Sequence, residues 1–527
     1  MQTLHSPTQA AAWLRQHVTG NLCSDSRTVG QGDGFIAWPG AATDGRAYVG
    51  SAISQGAAAC LVEAQGCEPW LNQWPQGVEA THEVVAAYSG LKADTGWIAD
   101  AYYEQPSKAL KVLAVTGTNG KTSTTWWLAQ ALNALGQADS KLAARCALVG
   151  TLGVGEPPHL TSTGMTTPDP VLMQAQFKKF VDAGVTHCAL EASSIGIAEQ
   201  RLAGTQIELA VLTNFTQDHL DYHGSMSAYW QAKAALFAWS HLKAAVINVD
   251  DEKGAQLADQ LSESVPGNSR QSNQSLDLWT CSSRNKPARL QARALVRSFS
   301  GLSFEVLEGA ETHAIQTSLM GDYNVDNLLA VMASLRALGV SLQQAVQVCA
   351  SLKAVPGRME KVSVPHATTL PLTLVDYAHT PDAVTQTLLA LKPIAQTAGS
   401  KLWCILGCGG DRDASKRPLM AAAAEAVADH VVLTSDNPRS EAPQGILDDM
   451  LKGLNAPQAA YQEIDRAKAI AHAIATANAH DVILIAGKGH EETQEIAGVK
   501  LPFDDRLHAQ QALRQRAAGV LKVGGNS

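Results

Sequence analysis

The segment Thr116-Gly117-Thr118-Asn119-Gly120-Lys121-Thr122 stands between an apolar run, KVLAV, and a helical pattern beginning at Ser123, STTWWLAQAL. In that order of strand, turn and helix, backbone N–H groups from Gly117 to Gly120 and from the first helical turn converge on one concavity. Lys121 adds a mobile positive charge and the Thr122 hydroxyl is a ligand for magnesium, so the segment can cradle a triphosphate. A glycine turn kept only for packing is the alternative, disfavoured by Gly-Lys-Thr in this context. The general phosphate-loop pattern asks for glycine where this chain has Val115, so the loop is of a narrower type.

Other residues could serve the same chemistry. Glu191 ends the apolar run HCALE, where a carboxylate either holds a divalent cation beside Thr122 or is simply solvated. His219 and His223 are spaced four apart, as on a zinc-binding helix, but no further ligand follows at zinc-site spacing, so a structural zinc is rejected. Asn324 and Asn327, in GDYNVDNLLA, carry amides suited to an adenine edge or, equally, to capping a helix. Lys233, in MSAYWQAKAALF, reads from its own surroundings as a solvated helix lysine. The nine cysteines are spread singly, and Cys60, Cys188 and Cys404 fall in apolar runs, where packing is their expected role.

The elements that must position these groups are parallel α/β units. Apolar, β-branched runs are followed at once by polar or glycine-rich turns in HCALEASS, LTLVDYAHTPD, KLWCILGCGGDRD, HVVLTSDNPR and DVILIAGKGHE. The chemistry-bearing residues thus fall at the C-terminal ends of strands, where open parallel sheets bind ligands. A chain of 527 residues exceeds one ordinary core, and three α/β domains are expected. They are a small N-terminal domain over 1–109, a central phosphate-loop domain over 110–352 with helices on both faces of a mostly parallel sheet, and a Rossmann-like C-terminal domain over 353–527. The stretch from Glu63 to Pro106 reads as irregular, and Gly267 to Pro287 as a Ser- and Asn-rich surface excursion. A net charge of -9 and scattered basic residues argue against nucleic acid. The absence of a leader pattern or a long apolar run predicts a cytoplasmic protein without membrane insertion.

The loop TGTNGKT resembles that of the Mur ligases and the related folylpolyglutamate synthetases. Further motifs match Mur ligases along nearly the whole chain: SDSRTVGQGDGFIAWPG, TTPD, EASS, TNFTQDHLDYHGSMSAYWQAK, GDYNVDNLLA, PGRME, DYAHTPD, GGDRDASKRPLM, DNPR and GKGHEE. In this order they resemble the diaminopimelate-adding branch of that family. The resemblance implies a two-step ATP-dependent reaction, in which a D-glutamate carboxylate is phosphorylated and an amine displaces phosphate. It implies His219 as a magnesium-associated residue, Lys233 as a carbamate, formed with carbon dioxide, that organises magnesium, and Asn327, Arg358, Asp376, His379 and Lys416 as nucleotide contacts from domains that close over ATP. Asp218 and His223 are expected only to shape their turn.

The same resemblance implies UDP-N-acetylmuramoyl-L-alanyl-D-glutamate as substrate. Ser24, Ser26, Ala41, Ala42 and Thr43 would face its uridine diphosphate end, and Thr166, Thr167, Ser193, Glu199 and Arg201 the muramoyl dipeptide. Ile195 and Glu199 depart from the family's His and Gln, and an acidic Glu199 beside an anionic substrate needs a partner. For the incoming amino acid, meso-diaminopimelate differs from lysine by a second carboxylate, which a planar guanidinium holds in two parallel hydrogen bonds. Arg439, in the frame Asp436-Asn437-Pro438, is that group; Arg412 would take the near carboxylate, and Glu491 with the Gly487 backbone the distal ammonium. A lysine-adding ligase, a folylpolyglutamate synthetase and a non-catalytic nucleotide-sugar scaffold are the rival readings. A monomer is expected.

Overall fold

The computed structural model describes residues 1–40, 43–71, 74, 84–138, 144–263, 276–365 and 369–519. The chain forms two compact units, one comprising Met1–Gln291 with Glu308–Ala310 and Asp326–Val348, the other Ala292–Leu307, Glu311–Val325 and the chain from Cys349 onward.

The first unit opens with a five-stranded parallel sheet: β1 (Gln2–Leu4), β2 (Leu22–Cys23), β3 (Gly34–Ala37), β4 (Ala59–Glu63) and β5 (Val85–Tyr88), in the order β1-β5-β4-β3-β2. Strand β5 and the helix Leu91–Tyr102 occupy the stretch that the sequence suggests is irregular. The helix is masked by Gly96, a poor helix former, but a Cβ there would lie 2.2 Å from the Ala203 carbonyl oxygen, so close packing excludes any larger residue.

The larger sheet of this unit contains β6 (Lys111–Thr116), β7 (Cys146–Gly150), β8 (Gly153–Glu156), β9 (His159–Thr161), β10 (His187–Glu191), β11 (Ile207–Leu212), β12 (Ala244–Asn248) and β13 (Asp277–Ser282). Their order is β13-β12-β11-β6-β10-β7-β8-β9, parallel from β13 to β7 and antiparallel beyond. Val112 and Ala114 join one apolar cluster while Leu113 and Val115 are buried on the opposite face, as a sheet covered on both sides requires. Strand β13 corrects the expected surface excursion over Gly267 to Pro287. Its residues Trp279 and Cys281 alternate inward and are buried, a period-two signal too short to stand out beside Ser and Asn.

The second unit carries the greater part of β14 (Leu290–Ser298), which pairs in turn with β15 (Gly301–Glu308) and β15 with β16 (Glu311–Thr317). Its main sheet contains β17 (Glu360–Val362), β18 (Leu372–Asp376), β19 (Leu402–Leu406), β20 (His430–Leu433), β21 (Tyr461–Gln462) and β22 (Val482–Ala486), ordered β17-β18-β22-β19-β20-β21. All neighbours are parallel except β17 with β18. A separate hairpin joins β23 (Thr493–Ile496) to β24 (Val499–Pro502). Two clusters, one with Leu374, Leu406 and Leu484 and one with Val375, Ile405 and Ile485, cover the two faces of the main sheet. No helix among the described residues is long and apolar enough to cross a membrane.

Candidate active site

In the first unit the turn after β6 leads directly into the helix Lys121–Ala138. Gly117 adopts φ 146°, and a Cβ there would lie 1.9 Å from Thr213 Oγ1, so only glycine lets the turn fold back on the end of β11. Thr213 Oγ1 donates to Asn119 O at 2.6 Å, and Asn214 Oδ1 accepts from Asn119 N at 2.9 Å. Lys121 Nζ donates to the carbonyls of Gly117 and Thr118, both at 2.9 Å. Asn327 is buried, with its amide against Gly120.

At the end of β10, Glu191 is fully buried. Its Oε2 accepts from Thr122 Oγ1 at 3.0 Å and from Thr151 Oγ1 at 3.1 Å, and its Oε1 from Thr151 N at 2.8 Å. Gly150 permits this approach, because a Cβ would meet Glu191 Oε1 at 2.2 Å. Thr166 joins through its hydroxyl to Thr151 at 3.0 Å. Thr167 Oγ1 donates to Glu191 O at 2.6 Å and lies 3.0 Å from Ser193 Oγ, while Arg201 Nη1 holds Thr167 O at 2.9 Å. Six residues expected from sequence, Thr122, Thr166, Thr167, Glu191, Ser193 and Arg201, therefore form one connected cluster. Thr151 was missed, for its only signal is a polar residue just beyond β7. A buried carboxylate met by hydroxyls and an amide suits a hard divalent cation, with the Thr122 hydroxyl alongside.

Lys233 is the clearest correction to reading by surroundings. It is 1% exposed, its Nζ donates to Gly117 O at 2.6 Å, and it lies 4.6 Å from the centroid of the Tyr229 ring. Burial, reinforced by Lys121 and opposed by Asp218, pushes its amine down to about 6. Tyr229 Oη stands 3.2 Å from Thr118 Oγ1, which ties this helix to the phosphate loop. His219, at φ 50°, sets its ring 6.0 Å from Tyr229 and its Nε2 3.6 Å from Asp218. His223 Nε2 is 3.0 Å from Ser194 Oγ.

Glu199 has the partner its position demands. It pairs with Lys92 at 2.6 Å and accepts from Tyr222 Oη, and these two bonds, against its burial, hold the carboxyl below its ordinary value. Ile195 is half-buried in the helix Ser194–Ala198. Ser24 and Ser26 lie at the turn whose Asp25 carboxylate accepts from Arg27 N. Thr43 is exposed and its carbonyl accepts from Gly40 N; Ala41 and Ala42 lie outside the described residues.

In the second unit, Asp376 at the end of β18 accepts from Met359 N at 2.7 Å and Ala378 N at 2.8 Å. Burial raises its carboxyl despite the nearby Arg358. The Arg358 guanidinium lies 4.5 Å from the Tyr377 ring centroid, and its buried Nε has no hydrogen-bond partner among the described residues. His379 Nδ1 is 2.7 Å from Tyr377 O, and exposed Lys416 begins the helix Lys416–Val427. Asn324 donates to Met320 O at 2.6 Å, a structural bond.

The ends of β20 and β22 carry the remaining residues. Asp436 and Asn437 are buried, and Gly487, at φ 115°, leaves room for Asp436 Oδ2. Arg439, beyond Pro438, has φ 50°, donates through Nη1 to Gly410 O at 2.6 Å and lies 3.7 Å from Glu495. Arg412 is exposed on the neighbouring loop after β19. Asn437 Nδ2 donates to Glu491 at 2.9 Å. Lys488, absent from the sequence reading, lies fully buried between them.

Together these units define a phosphate-loop α/β protein with a second, Rossmann-like set of polar strand ends. Three family models match in sequence order: Mur ligase family, catalytic domain, at residues 20–89; Mur ligase middle domain at 115–335; and Mur ligase, glutamate ligase domain, at 357–489. The UDP-N-acetylmuramoyl-L-alanyl-D-glutamate--2,6-diaminopimelate ligase of Acidovorax sp. (strain JS42) is 56% identical over 98% of this chain and 99% of its own. The protein of the same name from Janthinobacterium sp. (strain Marseille) is 45% identical over 96% of each. A solved structure of a ligase of that name, 34% identical, superposes with a TM-score of 0.65 over 94% of this chain and 95% of its own. The chain belongs to the Mur ligase family.

Proposed function

We propose that this Mur ligase joins meso-diaminopimelate to the D-glutamate side-chain carboxylate of UDP-N-acetylmuramoyl-L-alanyl-D-glutamate, with conversion of ATP to ADP and phosphate, in peptidoglycan precursor synthesis. The relatives similar to it end to end carry that activity in their names. The observation that carries the choice of amino acid is the turn Asp436-Asn437-Pro438-Arg439, where the buried Asn437 amide stands beside Glu491 and the Arg439 guanidinium beside Glu495.

In this reading the backbone of Gly117 to Ser123, with Lys121, holds the triphosphate of ATP, and Asn327 faces the adenine. Lys121 draws the γ-phosphate and the glutamate carboxylate, two anions, into contact. The carboxylate oxygen attacks the γ-phosphorus, ADP leaves, and an acyl phosphate remains on the dipeptide. The diaminopimelate amine then attacks the acyl carbon, phosphate departs, and the nitrogen loses its proton. Magnesium, when bound, neutralises developing phosphate charge. Thr122 and Glu191, whose side-chain oxygens lie 3.0 Å apart, would hold it.

Thr166, Thr167, Ser193 and Arg201 position the dipeptide, and Ser24, Ser26 and the 41–43 turn its uridine diphosphate. Arg358, Asp376, His379 and Lys416 contribute to ATP. Glu199 is committed to Lys92 and Tyr222, and so shapes the site through them rather than repelling the substrate. Lys233 carries a carbamate: a largely neutral buried amine is the form that adds to carbon dioxide, and the product is an anion beside Lys121. His219 assists on the magnesium side. The three-domain division, a monomeric state and a cytoplasmic location complete the proposal.

The test is phosphate release with ATP, magnesium and the UDP-dipeptide, comparing meso-diaminopimelate, L-lysine and no amino acid. Turnover with diaminopimelate alone is expected. Equal turnover with lysine would transfer the assignment to the lysine-adding branch, and none with either would end the ligase reading.

A further inference from the structure

Lysine is seldom fully buried unless paired, and Lys488 is 0% exposed. Its Nζ donates to Asn437 Oδ1 and to Glu491 Oε2, both at 3.0 Å. Asn437 Nδ2 donates to the same Glu491 Oε2, and the Glu495 amide donates to Asn437 Oδ1 at 3.0 Å. These contacts define the amide direction: its oxygen faces two donors and its nitrogen faces a carboxylate. Reversing it would set the amide nitrogen against an ammonium. Burial by itself would raise the Glu491 carboxyl; Lys488, through its charge and hydrogen bond, together with the Asn437 amide outweighs that and holds it below its ordinary value.

The surrounding charges leave this task to Lys488. Arg466 is taken up by Asp505 at 2.6 Å, and His490 is kept neutral near pH 7 because burial and Arg358 push it down to about 4. Asp436 and Tyr377 contribute no cation.

We propose that Lys488 is a positioning residue that sets selectivity for the distal ammonium of the incoming amino acid. By orienting Asn437 and keeping Glu491 anionic, it makes this corner an acceptor for a second amine. An amino acid without that amine forgoes a charge-assisted bond to the Glu491 carboxylate and binds less tightly. The inference rests on the reading that Asn437 and Glu491 meet the incoming amino acid.

The test uses the full-length protein and initial rates of phosphate release at saturating ATP and UDP-dipeptide. Meso-diaminopimelate is compared with 2-aminopimelate, which lacks the distal amine. The wild type should prefer diaminopimelate; if it shows no dependence on either compound, the underlying reading fails irrespective of any variant. Lys488→Met and Lys488→Gln should lower kcat/KM for diaminopimelate about tenfold or more, the scale of one charge-assisted contact. They should leave 2-aminopimelate, and the KM values for ATP and the UDP-dipeptide, within about twofold. Lys488→Arg, which keeps the charge, should restore much of the preference. Lys488→Gln retains a hydrogen-bond donor and so relieves the folding penalty of Lys488→Met. An unchanged ratio between the two amino acids, a parallel loss for all substrates, or failure of both neutral variants to fold would each overturn the proposal.

Discussion

Arg466→Met tests whether the loops that carry Asp436 to Arg439 and Gly487 to Glu491 are held by one buried ion pair. Arg466 and Asp505 have fully buried side chains, joined through Nε at 2.7 Å and Nη2 at 2.6 Å. The same guanidinium donates to Ala486 O at 2.9 Å, at the end of β22, and to Ser435 O at 3.3 Å, just past β20. Removing it leaves a buried carboxylate without its cation, a loss of about 3–5 kcal/mol. Two carbonyls also lose a donor, at about 1 kcal/mol each. The total of about 5–7 kcal/mol compares with about 5–15 kcal/mol for a typical fold. The assay is urea unfolding combined with hydrogen exchange of the β20 and β22 amides. Arg466→Met should lose protection in both strands, and Arg466→Met/Asp505→Leu should recover most of the stability because no charge remains buried. A loss below about 1 kcal/mol in the single variant, or no recovery in the double variant, refutes the reasoning.

Thr122→Val keeps the shape of the side chain but removes the hydroxyl that meets Glu191; kcat should fall about 10–100-fold, with a higher magnesium requirement seen by titrating the metal. Arg439→Lys exchanges a fork for a point charge, so kcat/KM for diaminopimelate should drop about 10–100-fold while the ATP KM holds, as steady-state rates will show. His187 is 5% exposed, and burial pushes its pKa down from 6.5 to about 4. The folded state therefore refuses a proton that the unfolded chain accepts below pH 6.5, and stability is lost as pH falls from 6.5 towards 4. Between pH 7 and pH 5, His187→Gln should lose about 2 kcal/mol less than wild type in urea unfolding.

What was legible in the sequence was what the chain keeps contiguous. The phosphate loop needs a strand, a turn and a helix start within a dozen residues, so its cradle can be read from order alone. The Glu191 cluster is assembled from the ends of β6, β7 and β10 and from Thr166 and Thr167, and spacing along the chain does not encode which strands become neighbours. A rule of fold bridges part of that gap, since polar residues after parallel strands gather at one edge, which is why Glu191 and Asn437 were found. The rule does not rank them, so Thr151, whose hydroxyl and amide both hold Glu191, was passed over. Buried lysines are the harder case. Lys233 and Lys488 look like ordinary solvated side chains because the feature that sets them apart, withdrawal from water, belongs to their neighbours. The departure at Glu199 has the same logic in reverse. An acidic residue that looks hostile to an anionic substrate is answered by Lys92 on the helix Leu91–Tyr102, the helix that Gly96 kept hidden from view. The resemblance to a family supplied Lys233 where physics alone could not, whereas Lys488 required the folded chain.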